Sequence, residues 1–219
     1  MFPALHRLWS ATLDLLLPQK PLVRELLAMS PADFRERAET AEGGAGSNAL
    51  ALFDYRNPVV KEAVWMLKYR GNRRIAALLG ELLYEDLLAF LLEYAPLANI
   101  TELMLVPIPL SRKRERERGF NQCELLVDCL ARQDKGRNFA VSKAALRKIK
   151  ETPSQTKTDN RKKRLENLSD CFQADAELVA GRNIILIDDV ATTGATLEEA
   201  RKTLLAAGAR KVIAFTIAH

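Results

Sequence analysis

The stretch NIILIDDVATTGATLEEARKTL, residues 183–204, decides the fold. It opens with an aliphatic run, Ile184 to Ile187, that ends in two aspartates, Asp188 and Asp189. Unbroken aliphatic character over a strand-length segment predicts a strand buried on both faces. Small residues, two threonines and a glycine follow, then helical spacing that closes at Gly208, where a left-handed residue is useful. KVIAFTIAH (211–219) predicts a further strand. Strand, helix and strand at this spacing form a βαβ unit, and hence a parallel sheet. Ligands of such sheets gather at the carboxyl ends of the strands, where this sequence delivers Asp188 and Asp189.

Adjacent carboxylates repel, and burying both without a partner is costly. A divalent cation suits them, because Mg²⁺ binds through one or two carboxylates plus substrate oxygens. A pair of vicinal sugar hydroxyls, donating hydrogen bonds, suits them equally. Beyond the pair, TTGAT (192–196) runs into a helix start. The first-turn amides of a helix lack intrahelical partners and carry the positive end of the dipole, which favours a phosphate. Gly194 allows the backbone to bend close to an anion, and Thr192, Thr193 and Thr196 add hydroxyls. The stretch can hold a sugar phosphate, hydroxyls on the aspartates and phosphate in the loop.

Outward from this centre the pattern stays regular. NPVVKEAVWMLKYRGN (57–72) predicts a helix that starts at Asn-Pro and ends near Gly71. In RRIAALLGELLYEDLLAFLLEY (73–94), Ile75, Leu78, Leu79, Leu82, Leu83, Leu87, Phe90 and Leu91 fall on one helical face. ELMLVPIPL (102–110) predicts a strand stopped by its prolines, NQCELLVDCLARQ (121–133) a helix, SKAALRKI (142–149) a short strand and DNRKKRLENL (159–168) a short charged helix. Residues 1–39 predict helices broken at Pro18 and Pro21, with Ser30 capping a short helix that has Pro31 in its first position. TAEGGAGSN (40–48) reads as a linker, so the expected division is a helical segment 1–48 and a domain 49–219.

The chain has 219 residues, enough for one sizeable core, with 48% hydrophobic and 28% charged residues, an ordinary balance for a globular protein. The apolar run LLAFLL (87–92) is far short of the ~20 residues a membrane span needs. The start MFPALHRLWS shows no signal-peptide pattern. Cys123, Cys129 and Cys171 lack CxxC spacing, which argues against a zinc site or a disulfide framework and accords with a reducing cytoplasm. The net charge of +5 is concentrated in RKRERER (112–118) and RKKR (161–164). Such clusters are open to three readings: a solvated helix face, contacts to a phosphorylated ligand, or contacts to a nucleic acid backbone.

IILIDDVATTGAT (184–196) resembles the PRPP-binding signature of type I phosphoribosyltransferases. LKYRGNRRIAALLGELL (67–83), VPIPLSRKRERERGFNQCELL (106–126) and LRKIKETPSQTKTDNRKKRLENLSDCF (146–172) together resemble the ComF competence-protein family, a phosphoribosyltransferase-like group. The likeness spans about residues 58–219. It implies an α/β fold, a parallel sheet flanked by helices, with a small helical N-terminal segment. It implies that Asp188 and Asp189 hold the ribose hydroxyls of 5-phosphoribosyl-1-diphosphate (PRPP), and Mg²⁺ indirectly through substrate or water. It implies that Thr192, Thr193, Gly194, Ala195 and Thr196 hold the 5-phosphate.

By the same resemblance Leu110, Ser111, Arg112 and Lys113 form the pyrophosphate loop, with Arg112, Lys113 and Arg147 as catalytic candidates. Arg118, Gly119, Phe120 and Asn121 cap the next helix and brace that loop. Residues 147–164, with Lys148, Lys150, Gln155 and Arg161, form a flap that closes over the ligand, and Lys68, Tyr69 and Arg70 make a second lid contact. ComF-like proteins usually begin with a cysteine-rich zinc module, whereas the N-terminal region here has no cysteine. The expected partners are PRPP or a related phosphoribosyl ligand, with single-stranded DNA or competence proteins as the alternative. The expected assembly is a homo-oligomer. No residue identifies the acceptor.

Overall fold

The computed structural model describes residues 21–41, 49–98, 103–151 and 170–219. In chain order the elements are α1 (Pro21–Ala28), α2 (Pro31–Arg37), β1 (Ala49–Phe53), α3 (Pro58–Arg70), α4 (Arg73–Ala98), β2 (Leu103–Pro107), α5 (Arg112–Arg118) and α6 (Gln122–Gln133). They continue with β3 (Phe139–Val141), β4 (Leu146–Lys148), β5 (Phe172–Ala174), α7 (Ala176–Val179), β6 (Asn183–Val190), α8 (Ala195–Ala206) and β7 (Lys211–Ala218). Five strands form one sheet in the order β1-β7-β6-β2-β3, every pairing parallel, while β4 and β5 form a separate antiparallel pair. The chain is thus an α/β protein with β6, the aliphatic strand, at the centre of its sheet.

Period-two alternation divides the core into two layers. Ile185 and Ile187 of β6, Leu103 and Leu105 of β2, and Phe215 and Ile217 of β7 join one buried cluster with the inner faces of α1 to α4 and most of α6. Ile184 and Leu186 of β6, Met104 and Val106 of β2, and Val212 and Ala214 of β7 join the other, with α8, α7, β4 and β5. The unbroken aliphatic run is needed because both faces of β6 are covered.

The helix boundaries follow their capping chemistry. Asn57 caps α3 by accepting from the amides of Val59 and Val60, and Gly71 ends it in the left-handed region at φ 55°. A Cβ on Gly71 would also stand 2.8 Å from the Phe120 ring, so both conformation and space favour glycine there. Ser30 and Asp33 form a reciprocal capping box at the start of α2. The predicted apolar face of α4 is the buried one: Ile75, Leu78, Leu79, Leu82, Leu83 and Leu87 lie in the first core layer, and Phe90 and Leu91 pack at its margin. Phe34 of α2 is fully buried in that layer, and Arg35 reaches across to Glu85 and Asp86 of α4 at 3.1 and 2.6 Å.

Several short elements carry no periodic signal in the sequence. Strand β1 and the three-residue strands β3 and β5 are too short or too mixed to show a period. RKRERER forms a helix, α5, with no buried residue, so no apolar spacing marks it. The helix predicted for 159–168, the flap residues Gln155 and Arg161, and the first N-terminal helix lie outside the described residues.

Candidate functional site

Asp188 and Asp189 occupy the last turn of the pleat in β6 and are 8% and 2% exposed. Alternation sends neighbouring side chains to opposite faces of the sheet, and their partners agree. Asp189 continues the Ile185–Ile187 face and meets α3: Lys68 Nζ lies 3.0 Å from its Oδ2. Asp188 continues the Ile184–Leu186 face. Its Oδ1 accepts from the Asp189 amide at 2.8 Å and from the Cys123 thiol of α6 at 3.3 Å.

The electrostatics follow from burial. Burial first, and then repulsion from Asp189, pushes the Asp188 carboxyl up to about 7. Burial opposes the charge on Lys68, but the attraction of Asp189 and Asp188 outweighs it and raises its pKa. Burial, reinforced by Asp188 and Asp189, pushes the Cys123 thiol well up, so Cys123 is a neutral donor. Asp189 Oδ2 is buried with the Lys68 ammonium at 3.0 Å as its partner. A carboxylate oxygen accepts from more than one donor, so a cation or a hydroxyl can join Lys68 there.

Among the described residues, no group of three or more His, Cys, Asp or Glu side chains gathers to hold a metal. The described residues offer Mg²⁺ the carboxylates of Asp188 and Asp189, and Mg²⁺ takes one or two carboxylates from a protein with substrate oxygens and water completing the shell. The donor set of Asp188 and Asp189 fits that mode of binding.

The segments around the pair are brought in by register. Val106 and Pro107 of β2 pair with Leu186 and Ile187, and the Ile108 amide donates to the Ile187 carbonyl at 2.9 Å. The loop leaving β2, Ile108 to Ser111, therefore starts beside Asp188. Ser111 is buried and caps α5, while the side chains of Arg112 and Lys113 in its first turn are exposed. Asn121 braces this loop: its side-chain amide donates to the Ile108 carbonyl at 3.1 Å while its Oδ1 caps α6. Gly119 ends α5 in the left-handed region at φ 76°.

On the other side, Gly194 stands at φ 70° as the N-cap of α8, with no side-chain cap bond. A twelve-residue helix thus starts just beyond the carboxyl end of β6. Thr192 is exposed, Thr193 and Thr196 are half-buried and Ala195 is buried.

The antiparallel pair β4–β5 covers the Asp188 side. Arg147, the candidate from this segment, is exposed. Its neighbour Lys148 points the other way, half-buried, with Nζ 5.6 Å from the Phe172 ring centroid. Burial lowers the Lys148 pKa, and Asp188, Arg114 and Glu151 are among the charges that act on it. Glu151 accepts from the Lys113 amide at 3.2 Å and bonds the Ser111 hydroxyl, which lowers its own pKa. Lys148 and Cys123 thus belong to the surroundings of Asp188. Alternation along β4 could have singled out Lys148 had its inward face been known. Nothing in the sequence distinguishes Cys123 from an ordinary buried thiol.

Comparison with known proteins identifies the family. The phosphoribosyl transferase domain family matches residues 125–219. The competence protein ComFC of Bacillus subtilis is 36% identical over 163 residues, which cover 74% of this chain and 60% of that protein. The competence protein ComFC of Streptococcus pneumoniae is 32% identical, over 80% of this chain and 69% of that one. This chain belongs to the ComF family, within the type I phosphoribosyltransferase superfamily. The DNA utilization protein YhgH of Escherichia coli O157:H7 is 32% identical to this ComF-family chain, over 74% of it and 68% of that protein. The chain spans less than two thirds of the Bacillus subtilis protein's length. No helix among the described residues is long and apolar enough to cross a membrane.

Proposed function

We propose that this ComF-family chain binds Mg²⁺–PRPP and transfers its phosphoribosyl group to a nitrogen nucleophile. The observation that carries the reading is the buried Asp188–Asp189 pair at the carboxyl end of β6, beside a glycine-capped helix start. The ribose hydroxyls donate to the two carboxylates, and the 5-phosphate takes the Thr192–Thr196 loop. Bound Mg²⁺ supplies charge neutralisation of the leaving pyrophosphate. Arg112 and Lys113, with Lys148 from the opposite side, add cationic hydrogen-bond donors for the same oxygens.

In the transfer, the bond between C1 and the pyrophosphate oxygen breaks and a bond from C1 to nitrogen forms. The pyrophosphate leaves with the electron pair, and the nitrogen releases a proton. The protein contributes positioning and electrostatics. The three described cysteines are free and buried, in keeping with action in the cytoplasm.

A second reading is favoured by the basic helix α5 and by the names of the relatives, competence and DNA utilization proteins. In it the same fold binds single-stranded DNA or a competence protein without turnover. Calorimetric titration of Mg²⁺–PRPP into the wild type and into Asp188→Ala/Asp189→Ala separates the two. Saturable binding that the double variant loses supports the transferase. Absence of binding to the folded wild type refutes it. Salt-sensitive DNA binding that survives in the double variant then supports the second reading.

A further inference from the structure

Four planar groups line up at the end of α3, on the rim of the carboxylate site. The Trp65 and Tyr69 rings are 5.6 Å apart at 43°. The Arg70 guanidinium lies 5.1 Å from the Trp65 centroid, and the Arg118 guanidinium 5.3 Å from that of Tyr69. Positions 65 and 69 are one helical turn apart, so they share a face. Lys68, which pairs with Asp189, is one residue from Tyr69 and three from Trp65. The array is therefore within a turn of the residue that touches the acidic pair.

Folding alone does not account for this arrangement. Trp65 is 42% exposed and Tyr69 59% exposed, so much of both rings remains in water. Single exposed apolar residues are ordinary, but these two rings pack together at a tilt, with a cation against each. Arg118 donates to the neutral Gln122 amide at 2.9 Å, a bond that leaves its charge uncompensated by that partner. The contact also joins the two sides of the site, since Arg118 ends α5, whose first turn holds Arg112 and Lys113.

Flat rings recognise flat rings by offset stacking, and a guanidinium beside them recognises a carboxylate or another anionic group. We propose that Trp65, Tyr69 and Arg118 form the acceptor subsite, and that the acceptor is a free planar nitrogen heteroaromatic bearing an acidic group. The inference rests on the phosphoribosyl-transfer reading, in which the nitrogen nucleophile must approach the sugar held by Asp188 and Asp189. A free ring is preferred to a nucleic acid strand because Tyr69 is the chain neighbour of Lys68, whose ammonium pairs with Asp189, and the sugar's C1 has to be reached from there.

Trp65 is its own reporter. The sequence has two tryptophans, Trp9 and Trp65, so the full chain carrying Trp9→Phe reports from Trp65 alone. Nicotinate and orotate, their uncharged counterparts nicotinamide and uracil, and a short oligothymidylate are titrated with and without Mg²⁺–PRPP. The expected result is saturable quenching by an anionic ring, about tenfold tighter than by its neutral counterpart. Arg118→Gln removes that preference, and Tyr69→Leu removes the binding. In both variants the loss of ring binding exceeds any loss of Mg²⁺–PRPP affinity, read by calorimetry, by at least about fivefold.

Quenching by no ring, or equal quenching by charged and neutral rings, overturns the assignment. So does quenching by the oligonucleotide where the free rings fail, which makes the array a strand-binding surface. If PRPP binds and no ring does, the acceptor subsite falls and the transferase reading stands. If anionic rings bind and PRPP does not, the transferase reading falls and the array is a ring-binding site without that role.

Discussion

Asp188 and Asp189 are 8% and 2% exposed on a strand with hydrogen-bonded neighbours on both sides, whereas Arg112 and Lys113 stand exposed on a seven-residue helix with no buried residue. The first region is made largely of backbone: a central strand, a left-handed glycine and a helix start. Its geometry is held by the core on both faces. The second is made of long charged side chains on α5 and β4, tied down by single contacts such as Lys113 to Glu151 and Asn121 to Ile108. In the proposed transfer, ribose and 5-phosphate keep their places while pyrophosphate departs, and a rigid half and an adaptable half would suit those two tasks.

The comparison breaks first if the rigid half is not rigid. Leu186→Ala removes a fully buried side chain beside Asp188 and should cost about 3 kcal/mol, read by urea unfolding. Arg116→Ala on α5, an exposed position, should stay within about 0.5 kcal/mol in the same assay. Next in size is the ligand effect. Asp188→Asn/Asp189→Asn keeps the shape of the pair and removes its charge. It should lower Mg²⁺–PRPP affinity by about a hundredfold in calorimetry. A loss no greater than that of an Arg112 variant would dissolve the contrast.

A sharper test lies within the adaptable half. Lys148 faces the Asp188 side and Arg147 faces solvent. Lys148→Met should weaken Mg²⁺–PRPP binding about tenfold, and Arg147→Met less than about twofold. The reverse result would place the flap's contact on the opposite face of β4.

The smallest effect is on pH dependence. The Asp188 carboxyl is raised to about 7 in the folded protein, against the ordinary carboxylate range in the unfolded chain. A raised acid contributes stability that is present below the unfolded pKa and is lost as pH rises through the folded one. Between about pH 4 and pH 7 the ligand-free wild type should therefore lose thermal stability relative to Asp188→Asn. The variant should have the higher Tm at the alkaline end, with the gap closing toward about pH 4. An unchanged difference across that range would mean that Asp188 is ionised throughout.

The legible part of the site was the part whose geometry is local. The aliphatic run, the two aspartates, the glycine and the helix start are contiguous. Strand period and helix-terminus chemistry therefore place them without knowledge of the rest. The apolar face of α4 and the caps Asn57 and Gly71 were legible for the same reason. Helix α5 was legible only as one of three readings of a basic cluster, because a helix that buries nothing leaves no apolar period.

What the sequence determined by itself was the α/β class, the central strand, and the delivery of Asp188 and Asp189 to its carboxyl end. Only the tertiary structure decided which partners meet them. Lys68, Cys123 and Lys148 are separated from the aspartates by tens of residues, and they converge on opposite sides of β6 through the pairing of β2 with β6 and the packing of α3, α6 and β4. Partner choice across a sheet depends on which element covers which face, and that is a property of long-range packing. No spacing within one segment encodes it.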